Sequence, residues 1–309
     1  MEKSMQYKEF MEKTKKSVKD YLGKEVCVEL KEVMKNNGVI LQGLVINSRE
    51  ETISPTIYLN GFYEDLRDGR PFGDIVRAIA SIYQDNRIEG SINLDFFTDY
   101  NAVKRRIFIK VINYEKNKKL LEELPYKRFL DLAVVCYYIY MNDYLGRGSI
   151  QIETSHLDKW GISEEVLFQD AKKNTARNLG VEIKGMEEVV REMLFENFGE
   201  EAEQYVEIAE QVKQETPLYI MTVRGRYFGA ACICDRELLQ SFAMAQGTNF
   251  YILPSSIHEL ILVPDSGKEE SERLKKMVEE INAGHVAPEE QLSDSVYYFD
   301  RFDSKVSII

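Results

Sequence analysis

No stretch of the 309 residues reaches the roughly 18 to 20 consecutive apolar side chains that carry a helix across a bilayer. The opening segment, Met1 to Lys24, holds seven lysines alongside Glu2, Glu9, Glu12 and Asp20 and has no apolar run, so it is not expected to be a secretory signal. Cysteine is scarce. Cys27, Cys136, Cys232 and Cys234 are too few and too scattered for a disulfide framework, and the expected compartment is the cytoplasm. Histidine is scarcer still: His156, His258 and His285 stand far apart, with no His-x-x-x-His spacing. Cys-x-x-Cys is absent as well, so no metal site is expected. Cys232 and Cys234 read as small core side chains sharing one face of a strand.

Glycine-rich phosphate fingerprints are missing too, and no cofactor is expected. Gly146-Arg147-Gly148 and Arg224-Gly225-Arg226 do not open a helix in a βαβ unit and read as hairpin turns, with Arg224 and Arg226 available to an anionic partner. Positive charge is in deficit, 40 basic residues against 52 acidic, for a net −12. Binding to nucleic acid or an anionic membrane surface rests on basic side chains, so both are disfavoured as partners. Much of the excess is local: from Glu187 to Glu215 ten glutamates face only Arg191 and Lys213, a balance of −8. Proline is limited to 7 residues and no Gly/Ser-rich or Pro-rich linker occurs, so any domain boundary must be a short connection.

What remains is ordinary globular composition, 44% hydrophobic and 30% charged, on a chain long enough for two or three modules. A lysine-rich amphipathic helix with Met5, Phe10, Met11 and Val18 on one face runs to Gly23. Two β-rich runs, 25–33 and 39–47, flank Asn37-Gly38, a strong hairpin signal because both residues tolerate positive φ. A short strand at 56–59, a helical turn at 62–66 and a helix over 72–83 follow, the helix facing Ile75, Val76, Ile79 and Ile82 inward. Residues 106–114 alternate as a strand and 115–124 read as helix. The apolar run 131–141 is expected as a central strand buried on both faces. Ser163 with Glu164 and Glu165 marks a helix start. Two glutamate-rich helices are expected over 186–214. The pattern from 218 repeats that from 131: hairpin (218–223 with 227–234), helix capped by Asp235, then a strand pair (250–253 with 258–263).

The expected fold is α+β, with mixed, mainly antiparallel sheets, packed helices and a duplicated hairpin-helix-strand unit. The expected domains are an N-terminal module, 1–124, and a C-terminal module, 125–309. The second holds hairpin-helix units at 131–184 and 218–263 and an acidic helical insert at 186–214.

Several strings carry a resemblance together. They are Lys35-Asn36-Asn37-Gly38 before Gly43-Leu44, Ser54-Pro55-Thr56-Ile57-Tyr58-Leu59, and Phe129-Leu130-Asp131-Leu132-Ala133-Val134-Val135. Leu157-Asp158-Lys159-Trp160-Gly161-Ile162, Leu253-Pro254-Ser255-Ser256-Ile257-His258-Glu259 and Leu292-Ser293-Asp294 complete the set. Over most of the chain the sequence resembles an uncharacterised bacterial family, a domain of unknown function. The resemblance implies a bacterial, cytoplasmic protein forming one continuous unit and assigns no catalytic residue.

The sharpest local cluster is Pro254 to Glu259, which gathers Ser255, Ser256, His258 and Glu259 at a turn. A hydrolase-like centre there needs a serine hydroxyl against the imidazole and a carboxylate orienting the ring. On a strand beginning at His258, however, His258 and Glu259 point to opposite faces. Nucleic-acid binding would fall to Lys104-Arg105-Arg106 and the strand through Lys110, with Phe108 as stacking ring. The leading expectation is a non-enzymatic protein-binding or regulatory protein that meets a protein partner through acidic helices around Glu200, Glu201 and Glu203 and through the 254–259 turn.

Overall fold

The computed structural model describes residues 5–48, 56–85, 99–142, 146–199, 217–267 and 271–309. The first elements close a small core of their own. Helix α1 (Tyr7–Leu22) buries Phe10, Thr14 and Val18 and ends at Gly23, whose φ of 94° disfavours other residues. Strands β1 (Val26–Met34) and β2 (Ile40–Ser48) pair antiparallel, and β3 (Thr56–Tyr58) joins β2. At the hairpin tip Asn37 and Gly38 adopt φ of 61° and 69°, the left-handed pair that Asn-Gly favours. Helices α2 (Asn60–Arg67) and α3 (Phe72–Asp85) cover the sheet. In α3 the inward row is Ile75, Val76, Ile79, Ala80 and Tyr83. Ile82, expected inside, lies off that helical row and is 38% exposed.

The remaining chain builds two sheets around a larger core. A short helix α4 (Tyr100–Val103) leads to β4 (Ile107–Asn113), and α5 (Lys118–Leu121) to β5 (Tyr126–Phe129), β6 (Leu132–Asn142) and β7 (Gly146–Gln151). Strand β6 is central, pairing β4 and β5 along one part and β7 along the rest, as the apolar run predicts. Next come α6 (Thr154–Trp160), α7 (Glu164–Asn178), β8 (Val181–Gly185) and α8 (Met186–Phe198). The last third contains β9 (Tyr219–Val223), α9 (Arg236–Gln246), β10 (Phe250–Pro254), β11 (Leu260–Pro264), α10 (Ser271–Gly284), β12 (Tyr297–Asp300) and β13 (Lys305–Ile308). These strands form a six-stranded sheet of order β13-β12-β10-β11-β9-β8. Every strand pairing among the described residues is antiparallel, and the fold is α+β.

Both faces of the six-stranded sheet are covered. Met221, Phe250, Ile252, Leu260 and Leu262 point into the core shared with the four-stranded sheet, and the alternate residues Ile220, Leu253, Ile261 and Val263 pack with Leu274 and Val278 of α10. Burying each such side chain contributes about 1.5–3 kcal/mol. The edge of β4 is closed by α7: Thr175 Oγ1 accepts the Ile109 N–H at 3.0 Å, and Asn174 Nδ2 donates to the carbonyls of Lys104 (2.7 Å) and Ile107 (2.9 Å). The two sheets are clasped at Asp131. Its carboxylate accepts from Ser293 Oγ (2.6 Å), Ser295 Oγ (3.1 Å) and the Tyr297 hydroxyl (2.8 Å).

Several expectations are corrected. Residues 227–234 are not a strand: Gly229–Cys234 is a 3-10 helix. Strand β9 already has β8 on one edge and β11 on the other, so no edge is left for a hairpin partner. Gly225, Arg226 and Phe228 at φ of 84°, 52° and 60° turn the chain away from an extended path. The second unit therefore does not repeat the β6–β7 hairpin of the first. Gly146-Arg147-Gly148 lies within β7, paired with Asn142, Met141 and Tyr140, and is not itself the turn. The boundary drawn at 124 runs through the four-stranded sheet, because β4 pairs with β6 along seven residue positions from Ile107 to Asn113. The helix read over 115–124 is a 3-10 turn, Glu115–Asn117, followed by the single turn of α5.

Candidate functional site

The 254–259 turn is held by its own polar groups. Ser256 Oγ accepts the His258 backbone N–H at 3.0 Å, and Ser255 Oγ lies 3.4 Å from Glu259 Oε1. Neither hydroxyl meets the imidazole. Strand β11 begins at Leu260, so His258 sits in the turn and its ring faces the 225–229 loop. Its Nδ1 accepts the Phe228 backbone N–H at 3.1 Å, which leaves the proton of the neutral ring on Nε2, 3.7 Å from Glu290 Oε1. A ring so engaged has no free nitrogen with which to activate a serine. The hydrolase-like centre expected at Ser255, Ser256, His258 and Glu259 is not assembled.

His258 instead belongs to a stack that sequence reading missed. Its ring lies parallel to Phe228, centroids 5.4 Å apart at 10°, with Tyr227 at 5.6 Å. Lys110 Nζ is 4.6 Å from the centre of the same Phe228 ring. Phe228 reaches this position through a left-handed backbone, and Gly229 lets the loop pass close behind it: a Cβ there would stand 2.3 Å from Thr222 Oγ1 and 2.6 Å from the His258 carbonyl oxygen. Thr222 Oγ1 donates to that same carbonyl at 2.8 Å. Burial and the nearby Lys35 charge bring the Lys110 amine down to about 8. Burial also holds His258 below its ordinary value, against the pull of Glu290 and Glu259, and Lys110 adds to the depression.

On the other face of β4, past Ile109, a pocket of about 470 Å³ opens between α7 and the 3-10 segment. Its floor is apolar, formed by Ile109, Val181, Val223, Ala231, Cys232 and Cys234. Burial pushes both thiols up to about 12, so they stay neutral and behave as small apolar groups. The rim carries Lys172, Lys173 and Arg236 against Asp235 and Glu237. The Asp235 carboxylate is partly satisfied as the cap of α9, accepting the Leu238 N–H at 3.1 Å. No group of three His, Cys, Asp or Glu side chains suited to a metal occurs among the described residues.

The model of a family of unknown function, DUF5688, matches residues 7–301. The chain belongs to this family. Neither a curated protein nor a solved structure matches it. The DUF5688 match spans the small first core and the larger second one, including the stack and the pocket.

The other predicted positions of this DUF5688 chain do not converge on one place. Arg226 is paired with Glu192 at 3.6 Å, and Glu192 also meets Lys184. Arg224 is largely exposed, 3.9 Å from Glu182. Glu200, Glu201 and Glu203 lie outside the described residues. The basic track fares poorly as a nucleic-acid surface: Phe108 is buried against Tyr137, and Lys110 is drawn inward over Phe228. Among the described residues no helix is long and apolar enough to cross a membrane. Only an unusual residue choice pointed to the stack: a lysine set within the otherwise apolar Ile107 to Ile112 strand.

Proposed function

We propose that this DUF5688 chain is a non-enzymatic binding or regulatory protein whose ligand is a small amphiphilic anion held in the pocket between α7 and the 3-10 segment. The observation that carries the reading is the pocket's composition: an apolar floor with neutral thiols beneath a rim bearing Lys172, Lys173 and Arg236. Apolar burial supplies affinity in such a site, and a few charged groups at its mouth fix orientation. The ligand's apolar body lies against Val181, Val223 and Ala231, and its charged end meets the three cations. Decanoate is a suitable probe. Calorimetric titration should show saturable binding that Ala176→Trp abolishes by filling the pocket and that Lys172→Glu with Lys173→Glu weakens about tenfold, a loss of 1.4 kcal/mol. Ala176 is an exposed helical position, so the tryptophan variant should fold normally. Binding untouched by either change would sink the reading.

A second reading places a basic protein partner on the glutamate-rich surface. Helix α8 favours it, because Met193 and Phe195 are 49% and 44% exposed next to Glu188, Glu192 and Glu196. Reversing those three charges should then remove a salt-sensitive interaction with a cationic amphipathic peptide.

A further inference from the structure

A polar pocket of about 350 Å³ is lined by the last turn of α10, the chain leading into β12 and the 3-10 turn Glu115–Asn117. Glu279, Asn282 and Ala283 stand at i, i+3 and i+4 of α10 and so share the face that lines it. Gln291, Asp294 and Lys116 complete the lining. Hydrogen bonds within the lining hold it in shape. Asn282 is only 5% exposed, and its Nδ2 donates to the Ser293 carbonyl (3.0 Å) and to Asp294 Oδ1 (2.7 Å). Gln291 Nε2 donates to the carbonyls of Asn282 (2.8 Å) and Val286 (3.3 Å). Ser293 Oγ donates in turn to the Asp131 carboxylate.

Several groups in this lining are left with bonding capacity. Asn282 Oδ1 has no hydrogen-bond partner among the described residues, although the two acceptors of Nδ2 fix the orientation of the amide. A buried acceptor left in that state is costly. Lys116 Nζ lies 3.4 Å from Asp294 Oδ2, too far for a tight charge-assisted bond, and the two side chains are 37% and 54% exposed. Such a pair contributes little and opens readily. The ion pairs of α10 join Lys275 to Glu272 and Lys276 to Glu280, which leaves Glu279 unpaired among the described residues. Lys116 against Glu279 and Asp294 gives the lining a net charge of −1.

We propose that this pocket binds a basic α-amino acid. An α-amino acid carries its ammonium and carboxylate side by side on one carbon, so it matches opposite charges presented 3.4 Å apart. An ω-amino acid holds the two groups too far from each other. The ligand's carboxylate meets Lys116. Its α-ammonium meets Asp294 and supplies the donor that Asn282 Oδ1 lacks, and its side-chain cation answers Glu279. Every charge in the pocket is then paired. The site shares no residue with the pocket lined by Ala176 and stands independently of it.

The test is calorimetric titration of the full chain with L-lysine, L-alanine, ε-aminocaproate and cadaverine. L-Lysine should bind saturably. ε-Aminocaproate lacks the α-ammonium and cadaverine lacks the carboxylate, so each should bind about tenfold more weakly or worse. L-Alanine lacks the side-chain cation. It should bind about tenfold more weakly than L-lysine and lose nothing further in Glu279→Gln. Lys116→Met and Asp294→Asn should each weaken L-lysine by about tenfold or more. The asparagine keeps an oxygen for Asn282 Nδ2, so that contact survives the change. No saturable binding of L-lysine, or binding of ε-aminocaproate or cadaverine as tight as that of L-lysine, would overturn the site. So would Lys116→Met and Asp294→Asn variants that bind like the wild type. L-Alanine binding as tightly as L-lysine would overturn the preference for a basic side chain. If Lys116→Met fails to fold, Asp294→Asn, Glu279→Gln and the analogue series decide.

Discussion

Lys110 shows how one side chain can set the acid–base behaviour of a region. Its amine is held at about 8 in the folded protein, against 10.5 for an ordinary lysine. Below pH 8 both folded and unfolded chains carry the proton, and the cost of the buried charge is fully present. Between 8 and 10.5 the unfolded chain binds the proton more tightly, so stability rises with pH through that window. The shift corresponds to on the order of 3 kcal/mol. Urea unfolding of wild type and Lys110→Met across this range should show the rise in the first and its loss in the second; parallel profiles would refute the assignment. Gly229 is the second decisive residue. A methyl group there meets Thr222 Oγ1 at 2.3 Å and two backbone atoms, the His258 carbonyl oxygen at 2.6 Å and the Val223 nitrogen at 2.7 Å. Backbone cannot swing aside, so Gly229→Ala should cost about 3 kcal/mol or more, read as a lower denaturant midpoint. Lys110 stood out in the sequence only as a charge within an apolar strand, and Gly229 not at all, because a glycine after a phenylalanine becomes unusual only once its neighbours are known.

Elements were more readable where the signal is local. Asn37-Gly38 set a hairpin, Asp235 capped α9, and Gly23 and Gly247 ended helices, each through backbone chemistry confined to a few residues. The failure at 227–234 has the opposite origin: a short run of apolar and small residues reads as strand, but both edges of β9 were already occupied. Small residues, Gly229, Ala230, Ala231 and Cys232, fold instead as a tight 3-10 segment against β4 and β9. Strand β4 owes its protected edge to α7. Replacing Thr175 by valine keeps the shape and removes the oxygen that accepts the Ile109 N–H. The orphaned buried donor should cost about 1–3 kcal/mol, and amide exchange at Ile109 should quicken more than at the paired positions of β6. An unchanged exchange rate would mean that α7 does not guard that edge.

At the scale of the molecule, polar contacts at the hairpin tip join the two cores among the described residues. Asn37 is bound from three directions: its Oδ1 accepts from Asn117 Nδ2 at 3.0 Å, its backbone N–H donates to Asn117 Oδ1 at 2.8 Å, and its Nδ2 reaches Pro288 and Gln291. Asn37→Ala removes the side-chain bonds and leaves those partners wanting. Calorimetry should then resolve two unfolding transitions where the wild type shows one; a single transition in the variant would place the coupling elsewhere. The sequence by itself determined the α+β class, the local turns and caps, and the central apolar strand, since each depends on propensity and periodicity within a short window. Only the tertiary structure decided which strands were left without a free edge, which turn faced His258, and that Lys110 lies over the Phe228 ring more than a hundred positions further along the chain. Those outcomes depend on contacts between segments far apart in the chain, and no local pattern carries that information.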